Sequence, residues 1–535
     1  MRISMMLAAG LLAGSAWLGP QLPAHAEEVT VKLWARSDRS GPLRAGNIVA
    51  AAEPLNAALK AAGSDKTVKV EVFEGPATGY DADALDILKA FSVGEGPDLY
   101  VAAHEWVGEF AKSGYAMDLE DFVKANPWAF ADVVPVLWDA TKYQGKIHAI
   151  PQDSEIRMFF YNKDMLRKIG KDEAFVEGLP DLVEKGEFTM EDLSKLAKEV
   201  VDKGGAQIGI VHRPNAGPDY LMTFASFGVR YMDPETGKLL LPKAEMQKGL
   251  EWFAWNAKNG VTPQNNTAMV WDEIQGGFKQ EKTFVYHQGI WAVGEFMLGD
   301  KKGAVWPEDE EGFFKKIGWF HAPAAVKGGE PKNLSHPIVY IVNPKSEHAD
   351  LAAQLVAYAS LPYYNTKHAV TTAHTGILNG QRSMPDYEKA WYLQAATPML
   401  ARSTFIPNHP DFGRYNGILF KALQGVETGR LSPEEAIQFL EDELTGELGD
   451  QLKVVDSLGC GSRIRAARPP GSAAPCRDTP QPAVASTGSC SWGRRRCCCS
   501  CSSSPRWWST SASPSPTWGA TCRSPASPPP ISSGC

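Results

Sequence analysis

Apolar residues gather in two kinds of run along this chain. Short runs rich in β-branched residues and bounded by polar or turn residues mark strands at Val29–Trp34 (VTVKLW) and Thr67–Phe73 (TVKVEVF). Between them, Ile48–Ala62 carries apolar residues at helical spacing and stops at Gly63, a favourable residue just past a helix end. A second helix is predicted over Asp81–Val93, closed by Gly94-Glu95-Gly96-Pro97, and a third strand over Asp98–Ala102. Further strands are predicted at Ile156–Tyr161, Ile208–His212, Thr283–His287 and Ile338–Val342. Further helices are predicted at Thr189–Asp202, Ala244–Lys258, Glu347–Ala359 and Ser432–Leu444. In the last of these, Ser432 and Glu435 form a capping-box pattern around Pro433. Strands separated by helices of this length predict βαβ units, a largely parallel sheet and an α/β fold, with two lobes expected.

The two ends of the chain have a different character. Met1 and Arg2 carry a small positive charge, Met5–Leu18 is apolar, and Ala24-His25-Ala26 follows Pro20. This is the layout of a cleaved secretory signal, with an apolar run too short to span a bilayer. Cleavage before Glu27 is expected, delivering the product to the periplasm; no cysteine nearby offers a lipid anchor. All nine cysteines lie from Cys460 onward. A secreted body without disulfides has to bury a core large enough to stand alone, and residues 27–459 are long enough for two or three domain-sized units. Their net charge of −17 (44 Lys+Arg against 61 Asp+Glu) argues against nucleic acid as a partner. The tail, with SWGRRRCCCSCSSSP at Ser491–Pro505, has neither helical nor strand period, and its cysteines match no standard zinc spacing. Its Ser/Pro/Arg/Cys/Trp bias reads as a G+C-rich gene translated out of frame after about Leu458, and no function is assigned to it.

Four blocks carry a resemblance to a known family. They are GPDLYVAAHEWVGEFAKSGYAMDL (Gly96–Leu119), GKIHAIPQDSEIRMFFYNKDML (Gly145–Leu166), FVYHQGIWAVGEF (Phe284–Phe296) and FIPNHPDFGRYNGILFKALQGVETGRLSPEEAIQFLE (Phe405–Glu441). In this order, over roughly Val29–Asp456, the chain resembles the maltose-binding-protein-like group of extracellular solute-binding proteins. The resemblance implies a type II two-lobed periplasmic-binding-protein fold with a ligand cleft between the lobes. It places the first lobe at 27–152 and 334–380, the second at 153–333 and 381–458, and the tail at 459–535. It also implies a monomer that binds a sugar, needs no cofactor, and delivers its solute to the permease subunits of an ABC importer.

Ligands of open α/β sheets sit beyond the carboxyl ends of strands, and polar or aromatic clusters here follow predicted strands. Arg36 and Asp38 follow the first, Glu105 and Trp106 the third, and Glu155 and Arg157 lie in the hinge-like block. Asn215, Asp219 and Tyr220 belong to the HRPNAGPDYL loop, Trp291 follows Thr283–His287, and Arg414 and Tyr415 follow the loop near Asn408. Carboxylates, guanidiniums and aromatic rings suit a sugar, whose hydroxyls need paired donors and acceptors and whose C–H faces stack on rings. By the resemblance, Glu105 and Glu155 match acidic sugar-contacting positions, Trp291 a stacking tryptophan, and Tyr415 falls beside another aromatic position. Trp106 and Arg157 depart from the best-known member of the group, which has a basic residue and a tyrosine at those places.

Signals for catalysis are thin. His104-Glu105 lacks a second histidine at zincin spacing, and no P-loop, G-x-G-x-x-G or G-x-S-x-G occurs. The reading is therefore a non-enzymatic binder of a neutral di- or oligosaccharide. Two alternatives stay open: capture of an acidic, phosphorylated or non-sugar solute, suggested by Arg36, Arg157, Arg213 and Arg414, and a secreted glycosidase using Glu105 and Glu155.

Overall fold

In the computed structural model, residues 27–36, 44–75, 80–298 and 309–458 are described. The proposed signal segment, Asp38 and the cysteine-rich tail lie outside them. Two sheets organise the chain. The strands are β1 (Glu27–Arg36), β2 (Lys66–Gly75), β3 (Leu99–Ala103), β4 (Ile150–Asp153), β5 (Arg157–Asn162), β6 (Ile208–Val211), β7 (Thr283–Gly289), β8 (Ile317–Phe320) and β9 (Ile338–Val342). The first sheet is five-stranded in the order β2-β1-β3-β9-β4, and the second four-stranded in the order β8-β5-β7-β6.

The helices that matter below are α1 (Gly46–Ala61), α2 (Tyr80–Ser92), α3 (Val107–Lys112), α4 (Met190–Asp202), α5 (Pro218–Ser226), α6 (Lys243–Lys258), α7 (Trp291–Leu298), α8 (Ala349–Ala359), α9 (Pro362–Thr372), α10 (Phe412–Glu427) and α11 (Pro433–Leu448). Their ends follow the sequence signals. Gly63, at φ +76, lies just past α1. At α11 the predicted box forms: Glu435 N–H donates to Ser432 Oγ at 3.2 Å and Ser432 N–H to the Glu435 carboxylate at 2.8 Å. Loss of such a cap costs about 1 kcal/mol. Among the described residues no helix is long and apolar enough to cross a membrane.

Each sheet is covered on both faces, as strands with continuous apolar runs require. Ile48, Leu55, Leu355 and Val356 pack with Leu33, Val101 and Tyr340 on one side of the first sheet, and Ile87, Phe91, Val107 and Phe110 with Tyr100, Ala102 and Ile341 on the other. The second sheet is sandwiched likewise, with Leu193, Phe253, Tyr415 and Leu440 over Phe159 and Tyr161, and Phe278, Val293 and Tyr387 over Met158, Phe160 and Tyr286.

The sheets are mixed rather than largely parallel. β1 runs parallel to β2 and β3, but β9 runs antiparallel to both β3 and β4, and β7 antiparallel to β5. The physical reason is connectivity. β4 ends at Asp153 and β5 starts at Arg157, so the chain leaves one sheet for the other without a covering helix, and it returns through Ser335–Pro337 into β9. A third passage runs by Thr375. These segments meet: Ser154 and Thr375 exchange backbone hydrogen bonds of 2.9 and 2.8 Å, and the Ser154 and Ser335 hydroxyls are 2.5 Å apart.

Candidate functional site

The antiparallel seat of β9 decides what lies at the sheet edge facing the second lobe. Ala103, the last residue of β3, pairs with Ile338, the first of β9. His104 and Glu105, just after β3, are therefore brought beside His336, just before β9. His336 Nε2 lies 2.9 Å from Glu105 Oε1, and His104 Nδ1 lies 3.3 Å from Glu105 Oε2. On its other side, His336 Nδ1 is 3.6 Å from Glu155 Oε1 in the connecting segment.

From Glu155 the network enters the second lobe. Arg157 Nη2 donates to Glu155 Oε1 at 2.5 Å; Nη1 pairs with Asp219 at the start of α5 and lies 3.3 Å from Gln288 Oε1 at the end of β7. Asp219 also accepts from Arg213 Nε at 2.5 Å. A polar chain thus runs Glu105–His336–Glu155–Arg157–Asp219–Arg213, from one lobe into the other. Gly289 is required where it passes: a Cβ there would meet Trp291 Nε1 at 2.5 Å and Glu155 Oε2 at 2.6 Å.

The charges in this chain are fixed by one another. Burial opposes ionisation of Asp219, but the Arg157 and Arg213 guanidiniums hold its carboxyl well below the usual range. Burial likewise opposes the charge of Arg157, which Asp219 and Glu155 more than restore. Burial works to raise the Glu105 carboxyl, yet His336 and then His104 bring it down to about 2. Burial pushes the imidazoles the other way, His104 to about 4 and His287 to about 3, against the pull of Glu105 and Asp219 respectively. Both rings are neutral at pH 7.

Beside the network is a cavity of about 60 Å³ between the lobes, lined by Glu105, Trp106 and Glu109 from the first lobe and by Ala216, Gly217, Phe412 and Asn416 from the second. Small-molecule sites usually hold roughly 300–1,000 Å³, so a sugar ring enters only if the lobes part.

The residues singled out from the sequence divide accordingly. Glu105, Glu155, Arg157 and Asp219 form the network; Trp106 lines the cavity, and partly buried Trp291 stands beside Glu155. Asn215 is exposed on the loop whose next two residues line the cavity. Arg36, at the end of β1, pairs with Asp83 of α2 at 3.7 Å. Three residues do not join the site. Tyr415 is fully buried and donates to Leu240 O at 2.9 Å, packed against Phe412 in the second-lobe core. Tyr220 is fully buried too, its hydroxyl on Asn416, a cavity-lining residue. Arg414 points to solvent, paired with Asp411 at 2.5 Å and Glu447 at 3.2 Å.

His336 was not among the sequence candidates. A search beyond the carboxyl ends of strands passes over it, because an antiparallel strand presents its beginning at that same edge. Gln288 was not singled out from the sequence, and Arg213 only as one of four arginines suggesting an acidic solute.

A two-sheet chain with three inter-lobe passages and a polar crevice between them defines the class of two-lobed binding proteins. The family model for bacterial extracellular solute-binding proteins matches residues 45–364, and this chain belongs to that family. It is similar to a maltotriose-binding protein of Pyrococcus abyssi, 24% identical over 206 residues, a match spanning 38% of this chain and 40% of that relative. Among solved structures, it resembles the sugar-binding protein MalE of Xanthomonas citri (TM-score 0.62, 20% identity, 78% of this chain and 97% of that one). It also resembles the maltose-bound MalE3 of T. maritima (TM-score 0.61, 18% identity, 78% and 99%).

Proposed function

We propose that this protein captures a neutral di- or oligosaccharide between its lobes in the periplasm and hands it to the permease of an ABC importer, without chemical change. The observation that carries the choice of a neutral solute is the pairing of the arginines. Arg157 is held by Glu155 and Asp219, Arg213 by Asp219, Arg36 by Asp83, and Arg414 by Asp411 and Glu447. The guanidiniums that would recognise an acidic solute are thus already matched to carboxylates. What the crevice offers instead is fixed donors and acceptors for hydroxyls and two tryptophans, Trp106 and Trp291, for ring faces. A hydroxyl bonded to a charged group contributes about 1.5–3 kcal/mol. Several together reach the roughly −8 kcal/mol of micromolar binding after association costs. The maltose and maltotriose named for the similar proteins point the same way.

The test is a thermal-shift panel of maltose, maltotriose, a uronate disaccharide, glucose 6-phosphate and putrescine. A neutral sugar at 100 times its Kd should stabilise the fold by about 2.7 kcal/mol, with an affinity nearly independent of salt, and be recovered intact. Binding confined to charged solutes and falling steeply with salt would replace this reading by the acidic one. Released reducing ends, abolished by Glu105→Gln or Glu155→Gln, would replace it by a glycosidase.

A further inference from the structure

His104, Glu105 and His336 have a chemistry that sugar capture does not use. Each offers a ligand atom, and the three atoms lie within 4.8 Å of one another. His104 is fully buried, its ring near the Ile406 and Pro337 backbones, yet neither ring nitrogen makes a hydrogen bond of acceptable geometry. Glu105 Oε2 likewise has no well-aligned hydrogen bond, only the 3.3 Å approach of His104 Nδ1. A buried polar atom left in this way costs roughly 1–3 kcal/mol, a cost that a ligand would remove.

We propose that His104, Glu105 and His336 form a binding site for a divalent transition-metal ion of the zinc class. Two imidazoles and a carboxylate are a donor set that binds zinc with a fourth position left open. Metal–ligand bonds of about 2.0–2.2 Å put tetrahedral neighbours about 3.3–3.5 Å apart. The three ligand atoms lie within 4.8 Å of one another, and each ring already reaches one oxygen of the same carboxylate, His336 Nε2 at 2.9 Å from Glu105 Oε1 and His104 Nδ1 at 3.3 Å from Oε2.

The surroundings have the form of a metal site. With Nε2 of His336 on the ion, its Nδ1 faces Glu155 Oε1 at 3.6 Å, a carboxylate behind a ligating imidazole, which fixes tautomer and ring orientation. The ligands come from the end of one strand and the approach to its hydrogen-bonded neighbour, Ala103 opposite Ile338. The ligands thus gather at one edge of the first sheet, with His336 on the segment that enters β9. Glu105 also lines the inter-lobe cavity, so the open position faces the solute, where a sugar hydroxyl or water oxygen would complete the coordination. This site does not depend on the solute's being a sugar. No motif spacing in the sequence could show it, because the third ligand is on another strand.

The experiment uses the full chain with its cysteines alkylated, so that thiolates of the tail cannot compete. Cobalt(II) is titrated in and the visible d–d absorption followed. One ion per chain is expected, with the intensity of a tetrahedral site, no thiolate charge-transfer band, and displacement by zinc. His104→Gln and His336→Gln should each weaken binding by more than the roughly 10–100-fold typical of an outer-shell change, with far-UV circular dichroism unchanged. If His104→Gln fails to fold, His336→Gln at the sheet edge carries the test alone. Absence of the tetrahedral band, a thiolate band, or unchanged affinity in the folded variants would overturn the proposal.

Discussion

Arg157 is the centre of the buried network, and its removal gives a quantitative test of the site's electrostatics. Its side chain is 3% exposed, against 3% for Glu155 and 0% for Asp219. Deleting one member of a buried ion pair strands its partner and costs about 3–5 kcal/mol. Here neither carboxylate is left wholly alone: Asp219 keeps Arg213 at 2.5 Å and Glu155 keeps His336 at 3.6 Å. Arg157→Met, which retains most of the aliphatic volume, should therefore destabilise by about 3 kcal/mol, the lower end of that range. Adding Glu155→Gln and Asp219→Asn to Arg157→Met should recover much of the loss, because the stranded charges are then gone. Urea unfolding at pH 7 measures both, followed by tryptophan fluorescence and circular dichroism; the two probes have to coincide, since a two-lobed chain can unfold in steps. A loss below about 1 kcal/mol, or a triple variant no better than the single one, would show that these carboxylates are solvated and the network is not a buried one.

Three other outcomes are expected. His287 has its folded pKa depressed to about 3 by burial, so between that value and the unfolded 6.5 the unfolded chain binds the extra proton and stability rises with pH; from pH 7 to 5 this one ring contributes a loss of about 2 kcal/mol. His287→Leu should shrink the difference in urea-unfolding free energy between those two pH values by that amount, and an unchanged difference would refute it. Tyr415→Phe should lower stability by about 1 kcal/mol through the lost bond to Leu240 O, while calorimetric titration finds solute affinity unchanged. Gly108→Ala puts a methyl group 2.5 Å from Asn408 O, and thermal unfolding should register an overpacking cost of about 1–3 kcal/mol.

How far the sequence discloses such a site depends on which physical signal each residue emits. The strands were legible because runs such as VTVKLW and IVYIV between turn residues have few other uses, and β9 matches Ile338–Val342 as read. Their pairing direction was not, because it follows from where the chain crosses between sheets, and no local pattern encodes that. The carboxylates near strand ends stood out by their place just beyond apolar strands, where an acid needs a partner. Tyr415 was assigned to the cleft on its aromatic character, yet Phe412, Tyr415, Leu419, Ala422 and Val426 share one buried stripe of α10. That stripe is a helical period readable in the sequence, and it placed the ring in the core. Arg414, one residue earlier, falls on the opposite, wet face for the same reason. His336 emitted no signal of its own; only the β3–β9 register brings it to Glu105.

The seat of β9 has a consequence for the order in which this protein can assemble. β9 lies inside the first sheet, between β3 and β4, yet it is made after every strand of the second sheet. While the chain emerges from the ribosome, the first lobe has a slot in the middle of its sheet that only the segment ending at Val342 can fill. Until then β3 and β4 have no shared partner, and Tyr340 cannot close the core between Leu33 and Val101. Such long-range pairings are slow to form because the intervening loop has to be closed first. The lobe that begins the sequence is thus completed only after every strand of the second sheet has been made.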